Sequence, residues 1–168
     1  MASNKVSLQQ VSELGDVENN QDQEQDEAQY HAFCSAYQQR ELALNLVNQL
    51  NHFVKDVQRH RGISMGILGG NRAFETDFYR LQVQIDRRLA TLEAFACRGE
   101  ELFSLRDKEN IHFAWRTIRH DWQGDKVGEN FELHSHFIEQ IFQVKNLIAK
   151  RLEQPIISEF TASQDNDE

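Results

Sequence analysis

Proline and glycine are scarce in this sequence, which has one proline and eight glycines in 168 residues. Sandwiches and barrels built from β-strands use both residues freely in their many turns, so the composition argues against the all-β class. No stretch approaches the ~20 apolar residues of a membrane-spanning helix, and the first residues lack the basic and apolar regions of a signal peptide. We therefore expect a cytoplasmic protein that does not associate with a membrane.

Cysteine is almost absent as well, because Cys34 and Cys97 are the only two and no CxxC pair occurs. Both lie inside helical patterns, and the cytosol disfavours disulfides. We predict that both are reduced thiols in the core.

Basic residues are nearly missing from both ends of the chain. Residues 1–29 carry seven acidic residues, one lysine and no aromatic residue, and residues 158–168 carry four acidic residues and no basic one. So few apolar side chains cannot offset the entropy cost of ordering the backbone. We predict a disordered, acidic, Gln/Asn-rich tail over 1–29, a folded body over 30–157 and a second disordered acidic tail over 158–168. The nearly neutral body offers no basic surface for nucleic acid.

From Tyr30 onward, apolar residues recur at steps of three and four, which is typical of amphipathic helices. Turns that contain glycine separate four such stripes, and Pro155 follows the last one. The four predicted helices cover about 30–65, about 72–97, about 101–122, and about 130–152 with Asn130 as the N-cap. Four amphipathic helices with short connections predict an all-α fold, an antiparallel up-down-up-down four-helix bundle with a long first helix.

The seven histidines form no metal-binding or catalytic pattern. Only Glu109 and His112 have the Glu-x-x-His spacing of a di-iron bundle, and no second copy of that spacing occurs. His134 and His136 are two residues apart, so they point to different faces of a helix. Nucleophile-elbow, GxGxxG and P-loop patterns are also missing. The sequence therefore predicts no enzyme, no metal and no cofactor.

Polar residues occupy positions where the apolar stripes predict an inward side chain. Val57 predicts an inward position at Arg61, one turn later, and Ile138 predicts the same at His134, one turn earlier. Arg119 lies one turn beyond the predicted core residue Trp115. In the predicted bundle, all three polar residues lie within about two turns of the same end.

An inward guanidinium is costly unless an anion pairs with it. That anion is either a carboxylate of the protein, with Asp77 and Glu75 as candidates for Arg61, or a small anion from solution. Both alternatives remain open from the sequence.

The run around Arg61 resembles the first signature of the nitrate- and nitrite-sensing (NIT) domain family, Gln-x-Glu-Arg-Gly-Leu-Ser-x-Gly. The matching residues here are Gln58-Arg59-His60-Arg61-Gly62-Ile63-Ser64-Met65-Gly66, so His60 stands where the family has Glu. Other segments that resemble later family elements are Asp86-Arg87-Arg88-Leu89, Trp115-Arg116-Thr117-Ile118-Arg119 and His134 to Ile138. The resemblance covers about residues 42–152.

This resemblance implies a non-enzymatic, bacterial-type sensory domain that binds a small oxyanion through arginines and signals through a protein partner. By position, Arg61 matches the signature arginine and Gly62 its glycine, and Arg119 is a second arginine. With His134, which the periodicity places at the same end, they form the predicted ligand-binding set for an anion of the nitrate and nitrite class.

A different function class remains open, a helical protein–protein interaction module that keeps the bundle and has lost the ligand site. The carboxylate partners of Arg61 and Arg119 should discriminate the two, because internal pairing of both arginines favours the interaction module. The long first helix also leaves open a homodimer, since its N-terminal turns either project beyond the other helices or pack against another copy.

Overall fold

The computed structural model describes residues 8–96 and 102–153, and its described part contains helices and turns with no strand. The four α-helices are α1 (Leu8–Leu68), α2 (Glu75–Ala96), α3 (Leu105–Arg119) and α4 (Val127–Leu152). Short 3-10 helices precede α2 and α4, at Arg72–Phe74 and Trp122–Gly124. The predicted all-helical class with four helices is thereby confirmed. None of the helices in the described part has the length and apolar character needed to cross a membrane.

The chain divides into two compact units, one up to Gln38 and one from Gln39 onward. In the first unit, residues 8–38 are helical, so the disorder predicted for 1–29 is not confirmed over 8–29. The physical reason is that Glu and Gln are good helix formers, and a low apolar content limits burial without preventing a local helix. Residues 1–7 and the predicted tail 158–168 lie outside the described residues, as does Cys97. Cys34 is a free, half-buried thiol.

The core of the second unit is one cluster of buried apolar side chains drawn from all four helices. Its largest fully buried members on α1 and α2 are Leu46, Leu50, Phe53, Ile85 and Leu92. Those on α3 and α4 are Ile111, Ile118, Phe137, Ile141 and Ile148. These residues recur at the three- and four-residue steps that the sequence predicts.

The apolar stripe predicted for the first helix is wrong at its N-terminal end. Of the residues predicted to form it, Phe33, Tyr37 and Leu44 are exposed, and from residue 20 onward the first buried side chain of α1 is Ala43. The buried row continues through Leu46 to Leu50, Val54 and Val57. The last three belong to the predicted stripe, so the prediction fails only before Leu50.

Two predicted helix ends also differ from the structure. Asn130 does not cap α4, because the helix begins at Val127 and encloses Asn130 as a buried residue. Trp122 does not continue α3, because Asp121 has a left-handed backbone conformation with a φ of 51° that ends the helical path. Trp122 is nevertheless buried, and its ring centroid lies 4.3 Å from that of Phe78.

One carboxylate of α1 is buried at the edge of the core. Asp56 accepts hydrogen bonds from Gln84 Nε2 at 3.1 and 3.2 Å and forms an ion pair with Arg88 Nε, both residues being on α2. The Asp56 side chain is only 12% exposed, so its charge depends on these donors rather than on water.

Replacing Arg88 with alanine is expected to cost about 1–3 kcal/mol of unfolding free energy, because it leaves a buried carboxylate with Gln84 as its remaining donor. Urea denaturation measures the loss, and the neighbouring exposed residue provides the control as Arg87→Ala. Equal effects of the two substitutions would contradict a stabilising role for the Asp56–Arg88 pair.

Candidate functional site

A buried histidine pair joins α1 to α4. His60 Nδ1 lies 2.7 Å from His134 Nε2, and His134 Nδ1 lies 2.7 Å from the carbonyl oxygen of Asn130. A carbonyl only accepts, so His134 Nδ1 carries the proton, and His134 Nε2 therefore accepts from His60 Nδ1–H. The side chain of Asn130 extends the network by accepting from the Ser64 hydroxyl at 2.7 Å.

Aromatic rings surround His60. Its ring centroid lies 4.5 Å from that of Phe78 and 5.0 Å from that of Trp115. His60 and His134 are fully buried. The second ring nitrogen of His60, Nε2, is buried and has no hydrogen-bond partner among the described residues. In the tautomer that the partners require, this nitrogen is an unused acceptor.

Both histidines are neutral at pH 7. The pKa of His60 is lowered to about 3, mainly by burial and also by electrostatic interactions with His134 and Arg119. Burial also lowers the pKa of His134 to about 4, assisted by the charge of Arg61 and opposed by the carbonyl of Asn130. A neutral pair has no net charge with which to attract an anion, so any positive charge at this end of α1 must come from arginine.

Arg61 lies beside the histidine pair at the edge of the core. Its Nη1 donates to Ser135 Oγ at 2.9 Å, and its guanidinium carbon lies 4.7 Å from the centroid of the Phe131 ring. The residue is half-buried. Within residues 8–96 and 102–153 it has no carboxylate at ion-pair distance.

The two carboxylates considered for Arg61 are engaged with arginines close to them in the sequence. Asp77 lies 3.3 Å from Arg80, and Glu75 lies 3.8 Å from Arg72.

Arg119, in contrast, has a carboxylate partner. Its Nη1 donates to both oxygens of Asp86, at 3.0 and 2.9 Å, and the indole Nε1 of Trp115 donates to the same carboxylate at 2.8 Å. Among the described residues, the structure therefore pairs one of the two predicted arginines internally and leaves Arg61 without a carboxylate partner. Arg61 and His134 are brought together, since Arg61 binds the residue next to His134.

Gly62 is exposed, and a Cβ built on it would meet no heavy atom within 4 Å. Its position beside Arg61 leaves that surface open.

A groove between α2 and α3 was not predicted from the sequence. One cavity of about 490 Å³ lies between Asp86–Glu93 of α2 and His112–His120. A second, of about 600 Å³, adjoins it along α3 and is lined by Leu105 and Phe113. The two share Glu93, His112 and Arg116. Leu105 and Phe113 are 69% and 70% exposed. Leu105 belongs to the apolar stripe predicted for the third helix, so that prediction is wrong at Leu105, whereas Phe113 lies off the predicted stripe.

The buried network of His60, Ser64 and Asn130 was also missed as a unit. Its signal is the continuation of the core row of α1, because His60 follows Val57 by three residues and Ser64 follows His60 by four. No family model, curated protein or solved structure matches this chain. The functional proposal therefore depends on the geometry of these residues and on the resemblance of the segment around Arg61.

Proposed function

We propose that this chain is a non-enzymatic, cytoplasmic, NIT-like sensory domain that binds a small oxyanion at Arg61 and signals through a protein partner. The ligand class is that of nitrate and nitrite, planar anions whose oxygens match the planar fork of a guanidinium.

The bundle in this proposal is antiparallel, with its helices running up-down-up-down. Three hydrogen-bonded contacts between α1 and α4 support that direction: Asn51 with Lys145, His60 with His134, and Ser64 with Asn130. The residue numbers rise on α1 as they fall on α4. Between α2 and α3, the contacts of Asp86 with Arg119 and of Glu93 with His112 follow the same rule.

The observation that carries the proposal is the half-buried guanidinium of Arg61 without a carboxylate partner in the described chain. One of its nitrogens is held by Ser135, and the Phe131 ring lies against it. These contacts orient the fork without neutralising it. A partly desolvated, oriented charge is the feature that a small anion requires.

In this proposal Arg119 and His134 play indirect parts. The guanidinium of Arg119 is paired with Asp86, so it contributes to the local electrostatic potential but does not bind the anion directly. His134 is neutral and buried, and it positions the turn of α4 that carries Ser135. The anion itself contacts Arg61 and reaches it past the open surface at Gly62.

Nitrate or nitrite is expected to stabilise the wild-type protein and to have no effect on Arg61→Ala. A ligand that binds only the folded state stabilises it by about 2.7 kcal/mol at a hundredfold excess over Kd. Thermal melting with titrated nitrate, nitrite and chloride measures the effect. Arg61→Lys should recover little of it, because an ammonium lacks the planar fork.

The matched control is Arg59→Ala, which removes an exposed arginine two residues away and should keep the full response. Without ligand, Arg61→Ala should cost no more than about 1 kcal/mol, since it removes the hydrogen bond to Ser135 and the contact with Phe131 but no ion pair with a described carboxylate. A flat response of the wild type to every anion tested would end the oxyanion proposal.

The alternative function, a helical protein–protein interaction module, is favoured by a separate observation. Leu105 and Phe113 are among the most exposed large apolar side chains of the described residues, and they line one groove. Clustered exposed apolar groups are typical of docking surfaces. An interaction module predicts no anion response in the wild type, together with loss of partner binding in Phe113→Asp.

A further inference from the structure

In the N-terminal unit, one face of α1 carries aromatic side chains that are exposed to solvent. From residue 20 to Gln38, α1 contributes no buried side chain. Tyr30, Phe33 and Tyr37 are nevertheless 67%, 48% and 53% exposed. Their spacing of three and then four residues places them on one face of the helix, with Cys34 beside Phe33.

Such a helical segment obtains little stability from its own residues alone. Isolated helices are marginal in water, and in proteins most helical stability comes from packing an apolar face against a partner. Aromatic side chains are also enriched at protein interfaces. Three of them on one face of a helical segment that has no buried side chain from residue 20 to Gln38 indicate a surface that packs against another helix.

The two tyrosines of this face are placed symmetrically about the midpoint between Phe33 and Cys34. Tyr30 and Tyr37 are equidistant from that midpoint, and so are Glu27 and Arg40, three residues further out on each side. A second copy running in the opposite direction would therefore set tyrosine beside tyrosine and Glu27 beside Arg40. Such a two-fold pairing uses the same patch on both copies.

Charge also favours the antiparallel direction. The helix carries Asp22, Glu24, Asp26 and Glu27 before the aromatic face, with no basic residue among them. A parallel, in-register pair would set these four acids against their own copies, which is unfavourable. An antiparallel pair moves the two acidic segments to opposite ends.

We propose that the face formed by Tyr30, Phe33, Cys34 and Tyr37 pairs with the same face of a second copy, in an antiparallel homodimer. The aromatic side chains would bury on the order of 300 Å² per copy, well below the ~800 Å² per partner of a standard stable interface. The dimer is therefore weak and concentration-dependent. It is independent of the Arg61 site, so the anion proposal and this one can fail separately.

Cysteine cross-linking of the full chain tests the pairing and its direction. In a Cys97→Ser background, the two copies of Cys34 lie about one residue apart along the helix axis, or ~1.5 Å, and should form a cross-linked dimer with a short bismaleimide. In Cys34→Ser/Cys97→Ser, a single Gln23→Cys should not cross-link, because antiparallel pairing separates its two copies by about 21 residues, or ~31 Å.

Efficient cross-linking of the Gln23→Cys chain would overturn the antiparallel direction, since only a parallel pair brings those residues together. Absence of a Cys34 cross-link at concentrations up to millimolar would overturn the dimer.

Sedimentation equilibrium gives the independent measurement. Tyr30→Ala/Phe33→Ala should weaken the dimer by about tenfold or more, equal to ~1.4 kcal/mol, while circular dichroism shows that the bundle still folds. The matched control is Phe113→Ala, which removes an equally exposed aromatic ring from α3. Weakening by Phe113→Ala with no change in Tyr30→Ala/Phe33→Ala would place the interface elsewhere and overturn the proposal. Arg61→Ala should leave the association unchanged.

Discussion

Acidification from pH 7 to pH 5 is expected to lower the free energy of unfolding by about 4 kcal/mol. The cause is the buried pair of His60 and His134, whose pKa values are lowered to about 3 and about 4 in the folded protein. In the unfolded chain both would titrate near their ordinary pKa of about 6.5. Below that pH, the two histidines bind protons in the unfolded chain but stay neutral in the folded protein. Stability is therefore greatest above pH 6.5 and falls by up to ~2.7 kcal/mol per pH unit below it.

Urea denaturation at half-unit steps from pH 7.5 to 4.5 measures this slope. The double variant His60→Phe/His134→Leu removes both groups together, so no single histidine is left with an unpaired nitrogen, and most of the slope over pH 6.5–5 should disappear. The control is His136→Gln, which removes an exposed histidine of the same helix and should keep the slope. An unchanged slope in the double variant would show that other groups cause the acid sensitivity.

The all-helical class could be predicted because each apolar stripe is a local property of its own helix. Ile85 on α2 and Ile141 on α4 are buried where the three- and four-residue steps place them. The ends of the helices depend on single residues, and nothing in the spacing shows that Asp121 adopts a left-handed conformation.

The site was only partly predictable for a different reason. Steps of three and four after Val57 reach both His60 and Arg61, so the sequence allows either residue to be inward. The structure buries His60 completely and leaves Arg61 at the edge, because the core row of α1 continues through His60 to Ser64. Periodicity locates a face to within about one residue, and contacts with the other helices decide between neighbours.

The partner of Arg119 illustrates what no helix pattern contains. Asp86 lies on α2, and its carboxylate is held jointly by Arg119 and by the indole of Trp115. That arrangement depends on the distance between two helices and on the rotamer of each side chain. From the sequence alone, Asp86 and Arg119 are a carboxylate and an arginine on different predicted helices, and nothing in the pattern indicates that they are in contact.

Trp115→Ala is expected to cost about 3–5 kcal/mol of unfolding free energy. The side chain is 3% exposed, and its ring packs edge-on against His60, with centroids 5.0 Å apart, and parallel to Phe137, with centroids 6.4 Å apart. Removing the indole leaves a cavity among rigid neighbours and takes one donor from Asp86. Chemical denaturation followed by circular dichroism measures the loss, since the fluorescence of the variant would come from Trp122 alone.

Two further variants separate the components of that loss. Trp115→Phe keeps most of the ring and removes the indole N–H, so it should cost about 1 kcal/mol from the hydrogen bond in addition to its smaller packing loss. Phe113→Ala removes an aromatic ring that is 70% exposed on the same helix, and it should stay within about 0.5 kcal/mol of the wild type. A loss under ~1 kcal/mol in Trp115→Ala would show that the indole lies outside the core and would contradict the described packing of α3 against α1 and α4.

The cavity left by Trp115→Ala should also admit water to His60 Nε2, which reduces the burial that lowers the pKa of His60. Trp115→Ala should therefore show a shallower loss of stability between pH 6.5 and 5 than the wild type, and a slope as steep as the wild type's would mean that Trp115 does not shield the histidine.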